Sequence, residues 1–498
     1  MNDDIINSPI KQYNKWLWGI GLLLAYTLIA FIVGFFGLYA GVLILLFPFI
    51  IIYTITIFNK PIVGVYVSFF YCFFLYALGR YVIKDALPPG VLYDGLIAYS
   101  YAILLFKGLS GKVEWARLKD APILVLIVWL VYCMLSLVNP ESPGFNAWMI
   151  AFRPHMYMIL GIPLFCLLID VKSLKTMLIL WGVFSMILTV KGITQQLGYL
   201  DNADNLFLSV NYTTHLIWGK LRVFSYCSDA GQFGAQQAQA GVVGAVLFLS
   251  EKSKLKRFFF LLMALTGILG MFISGTRGAM FVLVGGALAY CFIIRKIKLL
   301  LLSLILMGGF YCVMRYTYIG SGIYAIHRMR SAFVPSADPS YLVRKNNQKI
   351  LREYLSTRPM GGGLGSMEHG VKGSVLYEIP HDSGYVLTWG DQGIIGVSMY
   401  ILMFLYFLIK GTWNVWFRIK NEWLRGVLIA LIAGISGDAV AHYGNPIMLQ
   451  FPTCIVVFFN IAVLFIAPRL DKELMQEDNK EPVKTTQLVK RSAYNTMR

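Results

Sequence analysis

Residues 258–294 read FFFLLMALTGILGMFISGTRGAMFVLVGGALAYCFII. Two apolar runs, 258–274 and 278–294, flank the break Ser274-Gly275-Thr276-Arg277-Gly278. Each run approaches the ~20 residues that a helix needs to cross a bilayer. The break is too short to carry its arginine far from the membrane. A charged side chain at the centre of a span costs roughly 2.5–3.5 kcal/mol on insertion scales, so one lodged among apolar residues marks a functional position by default. An arginine that only snorkels to the interface is the plainer alternative. An ordinary turn, however, has no need of an arginine framed by Gly275 and Gly278.

The rest of the chain has the same character. Of 498 residues, 58% are hydrophobic and 14% charged, with a mean hydropathy of +0.66. An ordinary soluble domain carries about 25% charged residues. A soluble enzyme and a disordered chain are both excluded. The net charge of +18 does not indicate nucleic-acid binding, because the charges punctuate apolar runs and do not gather on one face. An all-α integral membrane protein fits, with about 12–14 transmembrane helices between 17–35 and 448–467. Seven cysteines without a CxxC pair suggest neither a disulfide framework nor a zinc site. No cofactor is expected. The N-terminus, MNDDIINSPIKQYNKW, lacks the pattern of a cleaved signal peptide, so the first span is expected to be retained.

Loop charge assigns the sides. With the N-terminus in the cytoplasm, short inner segments carry clusters such as Lys252, Lys254, Lys256 and Arg257, and Arg295, Lys296 and Lys298. Most basic residues fall on that side, and both termini are expected there. The chain then divides into N-terminal membrane helices (1–196), a second membrane region (197–467) and a polar, disordered cytoplasmic tail (468–498). Two outer segments, 197–233 and 317–382, exceed the ~12–15 residues of an ordinary connection. The longer one contains YLVRKNNQKILREYLST at 341–357, where Leu342, Val343, Ile350, Leu351, Tyr354 and Leu355 suit an amphipathic helix. That helix would lie on the membrane surface or cap the bundle.

The side assignment puts Arg222, Arg277 and His381 on one outer face. Arg222 lies in KLRVFSYCSDAGQFGAQQAQAG, followed by Asp229, Gln232, Gln236, Gln237 and Gln239. So polar a helix start reads as the wall of a wet cavity; an Arg222–Asp229 ion pair is the alternative. His381 lies in YEIPHDSGYVLTWGDQGIIGVSMY at the start of a span. An imidazole at a membrane–water cleft can act as a general base, although a lone histidine is more often structural. Guanidinium groups bind phosphate bidentately and stay charged. Two of them would stabilise a departing diphosphate, without a metal, while the histidine deprotonates an attacking hydroxyl. Arg153, in AFRPHMY, would add a phosphate contact or snorkel. His155, His215 and His442 read as structural, and His327 and His369 carry no assignment. Asp438, in AGISGDAVAHYGNP, supports a different class, a transporter, because an acid in an interrupted helix can couple ions.

At these residues the chain resembles the O-antigen ligase and polymerase superfamily of bacterial membrane glycosyltransferases. The resemblance rests on Arg222 with the following Ser-Asp-x-Gly-Gln-Phe segment, on Ser274–Gly278, and on His381-Asp382 leading to Gly393-Ile394-Ile395-Gly396. Arg358-Pro359-Met360-Gly361-Gly362-Gly363-Leu364-Gly365 looks like the family's turn before the histidine. The resemblance implies metal-independent glycan transfer on the periplasmic face of the bacterial inner membrane. The donor would be a glycan on undecaprenyl diphosphate, and the acceptor another glycan, lipid A core or a protein hydroxyl. Arg222 and Arg277 would hold the diphosphate and His381 would activate the acceptor. Ser274, Thr276, Asp229, Gln232, Arg153 and Arg358 are the further candidates for substrate contact. Ligase, polymerase and protein O-oligosaccharyltransferase remain open, as does a flippase of lipid-linked oligosaccharide.

Overall fold

The computed structural model describes residues 38–83, 89–217, 219–320, 339–380 and 383–496, with scattered positions among 23–35 and 322–333. The chain forms two compact units, 1–63 and 64–498. The first span expected from the sequence, 17–35, falls largely outside the described residues. So do His381 and Asp382. Among the described residues, eight helices are long and apolar enough to cross a membrane, and four shorter apolar helices accompany them. This is an all-α integral membrane protein.

The first unit holds α1 (Leu38–Asn59). Next in the chain come α2 (Ile62–Leu78), which runs into a π-helical turn at Gly79–Ile83, α3 (Pro89–Leu109), α4 (Ile123–Leu135), α5 (Phe145–Leu168) and α6 (Val171–Gln196). A short helix, α7 (Asn202–His215), leads into a hairpin of β1 (Leu216–Ile217) and β2 (Lys220–Leu221). Then follow α8 (Ala230–Ser250), α9 (Lys254–Ile273), α10 (Met280–Ile293) and α11 (Ile297–Tyr316). The long connection contributes α12 (Pro339–Leu355) and α13 (Val375–Glu378). The chain closes with α14 (Gly384–Phe417), α15 (Glu422–Ala441) and α16 (Thr453–Thr496).

The core of the second unit is built around α8, which packs against α6, α9, α10 and α15. Residues 230–244 are buried without interruption. Its glutamines keep α8 out of the strongly apolar set, and burial in the bundle is what makes them tolerable. Polar side chains at membrane depth face the interior and find partners there. Gln237 shows how: its Oε1 accepts from Ser185 and Thr189, both at 3.0 Å, and its Nε2 donates to the Ser185 carbonyl at 3.1 Å. Small residues let the helices approach closely. A Cβ on Gly267 of α9 would come within 2.6 Å of the Gln237 carbonyl oxygen on α8.

Helix α12 takes the place expected for the amphipathic segment, and it packs as a cap. Leu351 and Leu355 join Met367, Leu376, Ile379 and Leu387 in one buried cluster. Past 467 the chain continues as helix to Thr496, and Leu470 and Leu474 are buried. Those two leucines sit four residues apart, on one face, so the apolar stripe of α16 outlasts the span itself.

Candidate functional site

The loop before α8 is held by polar side chains from three helices. Ser225 adopts a left-handed conformation (φ 50°) that is uncommon outside glycine. Such a conformation persists only where the surroundings over-determine it. Here the Ser225 amide donates to Gln195 Oε1 at 2.8 Å, its hydroxyl donates to the Leu188 carbonyl at 2.6 Å, and Arg80 donates to its carbonyl at 2.9 Å. Arg80 also donates to the Cys227 carbonyl and stacks over Phe207 at 4.2 Å. Gln195 is fixed in turn by buried Asp204, which pairs with Lys191 at 2.7 Å. Sequence reasoning missed Arg80, whose only signal was a cation closing an apolar span.

Four residues after Ser225, Asp229 caps α8. Its carboxylate accepts from the amides of Gly231 (2.6 Å) and Gln232 (3.0 Å), donors that a helix start leaves without partners. His215 secures the same helix start: its Nε2 accepts from the Ala230 amide at 3.3 Å. The ring proton therefore lies on Nδ1, within reach of the Asn211 carbonyl at 3.2 Å. Burial pushes the His215 pKa down, and the nearby Arg222 charge adds to that. His215 is thus a neutral, structural group, as the sequence suggested.

Arg222 lies in this framework and reaches the second arginine turn. Its guanidinium donates to the Thr214 carbonyl at 2.9 Å and to Thr276 Oγ1 at 3.2 Å. Thr276 Oγ1 donates to the Ala230 carbonyl at 2.9 Å. Buried Ser274 donates to the Met271 carbonyl (2.7 Å) and accepts the Thr276 amide (3.1 Å). Gly275 makes the reversal with φ 59°, a value suited to glycine. Half-buried Arg277 then opens a short 3-10 turn, Arg277–Ala279. Arg222, Thr276, Ser274, Asp229 and Gln232 are therefore one connected cluster, and Arg277 follows directly on Thr276.

The segment 442–453, read from the sequence only as a helix interruption with a structural His442, ties this cluster to the start of α14. Gln232 donates to the Gln450 carbonyl (3.2 Å) and Thr453 Oγ1 (2.8 Å). Asn445 packs on Gly231, and Gly444 lies against Gly278. The Gly384 amide donates to the His442 carbonyl at 2.9 Å, and a Cβ at 384 would overlap the His442 ring. Ser383 caps α14. The helix that His381 precedes thus begins beside the loop that touches the arginine turn.

The glycine-rich turn at 358–367 is docked on a break in α14. Gly393 has φ 66°, so the helix loses regular hydrogen bonds there. The turn takes them up: the Gly362 amide donates to the Gly390 carbonyl at 3.0 Å, and the Ile395 amide donates to the Pro359 carbonyl at 3.2 Å. Asp391, buried in the break, accepts from the amides of Gly365 (3.0 Å) and Met367 (2.9 Å) and from the Ser366 hydroxyl (3.0 Å). An acid in the third turn of an apolar span was its only signal in the sequence. The two remaining candidates are engaged elsewhere. Arg153 pairs with Asp94 of α3 at 2.6 Å, and Arg358 pairs with Glu141.

Residues 259–401 match the family model described as O-antigen ligase. No curated protein matches the chain. The match supports the resemblance to the O-antigen ligase/polymerase superfamily over that region. It indicates a glycosyltransferase-type enzyme of surface polysaccharide assembly. The match includes the Arg277 turn, the 358–367 turn and Asp391, while Arg222 lies before it.

Proposed function

We propose that the protein transfers a glycan from undecaprenyl diphosphate to a hydroxyl acceptor at the periplasmic face of the bacterial inner membrane, with both termini in the cytoplasm. The catalytic region would be 197–467, carried by the N-terminal helices 1–196. The observation that carries the reading is the Arg222–Thr276 hydrogen bond, which ties an arginine of one outer segment to the turn that bears another. In this mechanism the acceptor oxygen attacks the anomeric carbon and a new glycosidic C–O bond forms. The C–O bond to the diphosphate breaks, and its electron pair leaves with undecaprenyl diphosphate. His381 takes the hydroxyl proton. Arg222 and Arg277 hold the diphosphate as its charge grows, the point in the reaction where fixed cations lower the barrier most. The donor is a lipid-linked glycan; the acceptor is a second glycan, lipid A core or a protein hydroxyl.

A transporter of lipid-linked oligosaccharide is the second reading, favoured by Asp438 buried on α15. The two separate in a reconstituted system. The purified protein receives an undecaprenyl-diphosphate-linked repeat unit, with chelator and without another acceptor. A ladder of longer lipid-linked glycans supports polymerase action without a metal. If no ladder forms, lipid A core and then a protein acceptor are added. Silence with all three, together with donor movement across the bilayer, would overturn the enzyme reading.

A further inference from the structure

Helix α12 carries four cations, Arg344, Lys345, Lys349 and Arg352, against one acid, Glu353. Lys345, Lys349 and Arg352 recur at the spacing that puts side chains on one helix face. All three are exposed, and among the described residues none of them meets a carboxylate within ion-pair distance. A row of cations on a helix is ordinarily a solvated face. This row instead lines a cavity of about 540 Å³ together with Leu342 and, from α14, Trp389. That volume falls in the range of small-molecule sites, roughly 300–1,000 Å³. Trp389 is half-buried and packs against the apolar cluster beneath α12, which fixes its ring. The cavity also stands beside the arginine turn. Gln348, in the same wall, donates to the Tyr443 hydroxyl at 3.3 Å. The next residue, Gly444, lies against Gly278, which follows Arg277.

A cleft lined by charges of one sign concentrates the opposite charge. Guanidinium and ammonium groups hold carboxylates and phosphates. The face of an indole is electron-rich, and the C–H bonds on one side of a sugar ring stack on such a face. An anion alone makes no use of Trp389, and a neutral sugar makes no use of three cations. A phospholipid headgroup offers the anion but no ring to cover the indole. We propose that this cavity is a subsite for an acidic sugar of the glycan substrate, with its carboxylate or phosphate on Lys345, Lys349 and Arg352 and its ring on Trp389. It rests on the glycan-transfer reading for its setting and adds the charge class of the substrate.

The test is a saturation-transfer NMR titration of the full chain in phosphatidylcholine nanodiscs. The probes are trigalacturonate, maltotriose (rings without an acid) and glycerol phosphate (an acid without a ring). Trigalacturonate should bind at least about fivefold more tightly than either of the others. Lys345→Gln combined with Lys349→Gln changes only exposed side chains, so the fold is safe. It should weaken trigalacturonate about fivefold, the range for losing two exposed ion pairs, and blunt its sensitivity to salt. Trp389→Leu should bring trigalacturonate down to the level of glycerol phosphate. Equal binding of the acidic and neutral trisaccharides, or an unchanged affinity in the double variant, overturns the subsite. So does displacement of trigalacturonate when phosphatidylglycerol replaces part of the nanodisc lipid, which would make the cavity a headgroup site. Binding is read without turnover, so the two readings fail separately. If trigalacturonate binds as stated while no donor and acceptor support transfer, the transfer reading fails and the subsite stands. If transfer proceeds while the double variant binds trigalacturonate like the parent, the subsite fails alone.

Discussion

Residues 222–232 and residues 358–367 both carry candidate site groups, and they are held in opposite ways. The first segment is fixed from several directions. Leu188, Gln195 and Arg80 hold Ser225, His215 bonds the Ala230 amide, and Asp229 caps α8. The second is held by a break in one helix and the carboxylate of Asp391, with Glu141 and Asn139 at its outer end. The arginine cluster is thus held from several helices, while the turn that leads toward His381 is held chiefly by the broken start of α14, with Asp391 as its one buried side-chain anchor. Charged groups meant to stabilise a transition state gain from that rigidity, since they need no reorganisation during the reaction.

The largest effect should come from the rigid side. Arg277→Ala should lower transfer from a lipid-linked donor by about 10²–10³-fold, the range seen when one preorganised donor is removed from a developing anion. Thermal unfolding should stay near that of the parent protein, because Arg277 is only half-buried. Arg153→Ala is the control. Its charge is already engaged by Asp94, so transfer should change far less. Equal losses in the two variants would break the distinction between them.

Asp391→Ala tests the buried side-chain anchor of the turn. It leaves the amides of Gly365 and Met367 buried without an acceptor, at a cost of roughly 2–4 kcal/mol. Limited proteolysis should then cut within 339–380 well before any other described segment. Asp391→Asn keeps one acceptor and should fall between. Uniform destabilisation without selective cleavage would show that the backbone bonds to α14 and the Arg358–Glu141 pair hold the turn without Asp391. A smaller effect is expected for Asp229→Ala, which removes a helix cap worth about 1 kcal/mol. Calorimetry should show that loss, with Asp229→Asn close to the parent. An unchanged Asp229→Ala would mean that His215 and Arg80 hold the platform without the cap.

The two segments also differ in how far the sequence revealed them. Span positions were legible because periodic apolar runs report burial directly, and Arg277 stood out against them. The 222–232 cluster was legible because Asp229 and the glutamines are local to one helix start. The joining segment 442–453 was not, because Gly444 and Asn445 act only through remote partners, Gly278 and Gly231. Asp391 was missed for a related reason. Its three partners lie 24 to 26 positions earlier in the chain, a distance at which periodicity carries no information. In the tail a polar composition hides Leu470 and Leu474, which share one helical face.

The smallest effect is one of acidity, and it separates the two segments by pH. His215 is held below its ordinary pKa by burial and then by Arg222. Below the unfolded value of about 6.5, the unfolded chain binds a proton that the folded chain refuses. Stability around Ala230 should therefore fall as the pH drops from that value toward the folded pKa. Glu141, which anchors Arg358 and Tyr354, is also displaced downward, and its transition falls at lower pH. The Tyr354 hydroxyl, and after it the Arg358 charge, holds its carboxyl below the usual glutamate value. Its contribution is complete above about 4.3 and is lost only as the pH falls through the lower, folded pKa. Hydrogen exchange, with times scaled for intrinsic chemistry, should show 222–232 loosening first on acidification and 358–367 only in the carboxylate range. His215→Gln should remove the first transition and leave the second. If both segments loosened together in that variant, the platform and the pinned turn would be one cooperative unit.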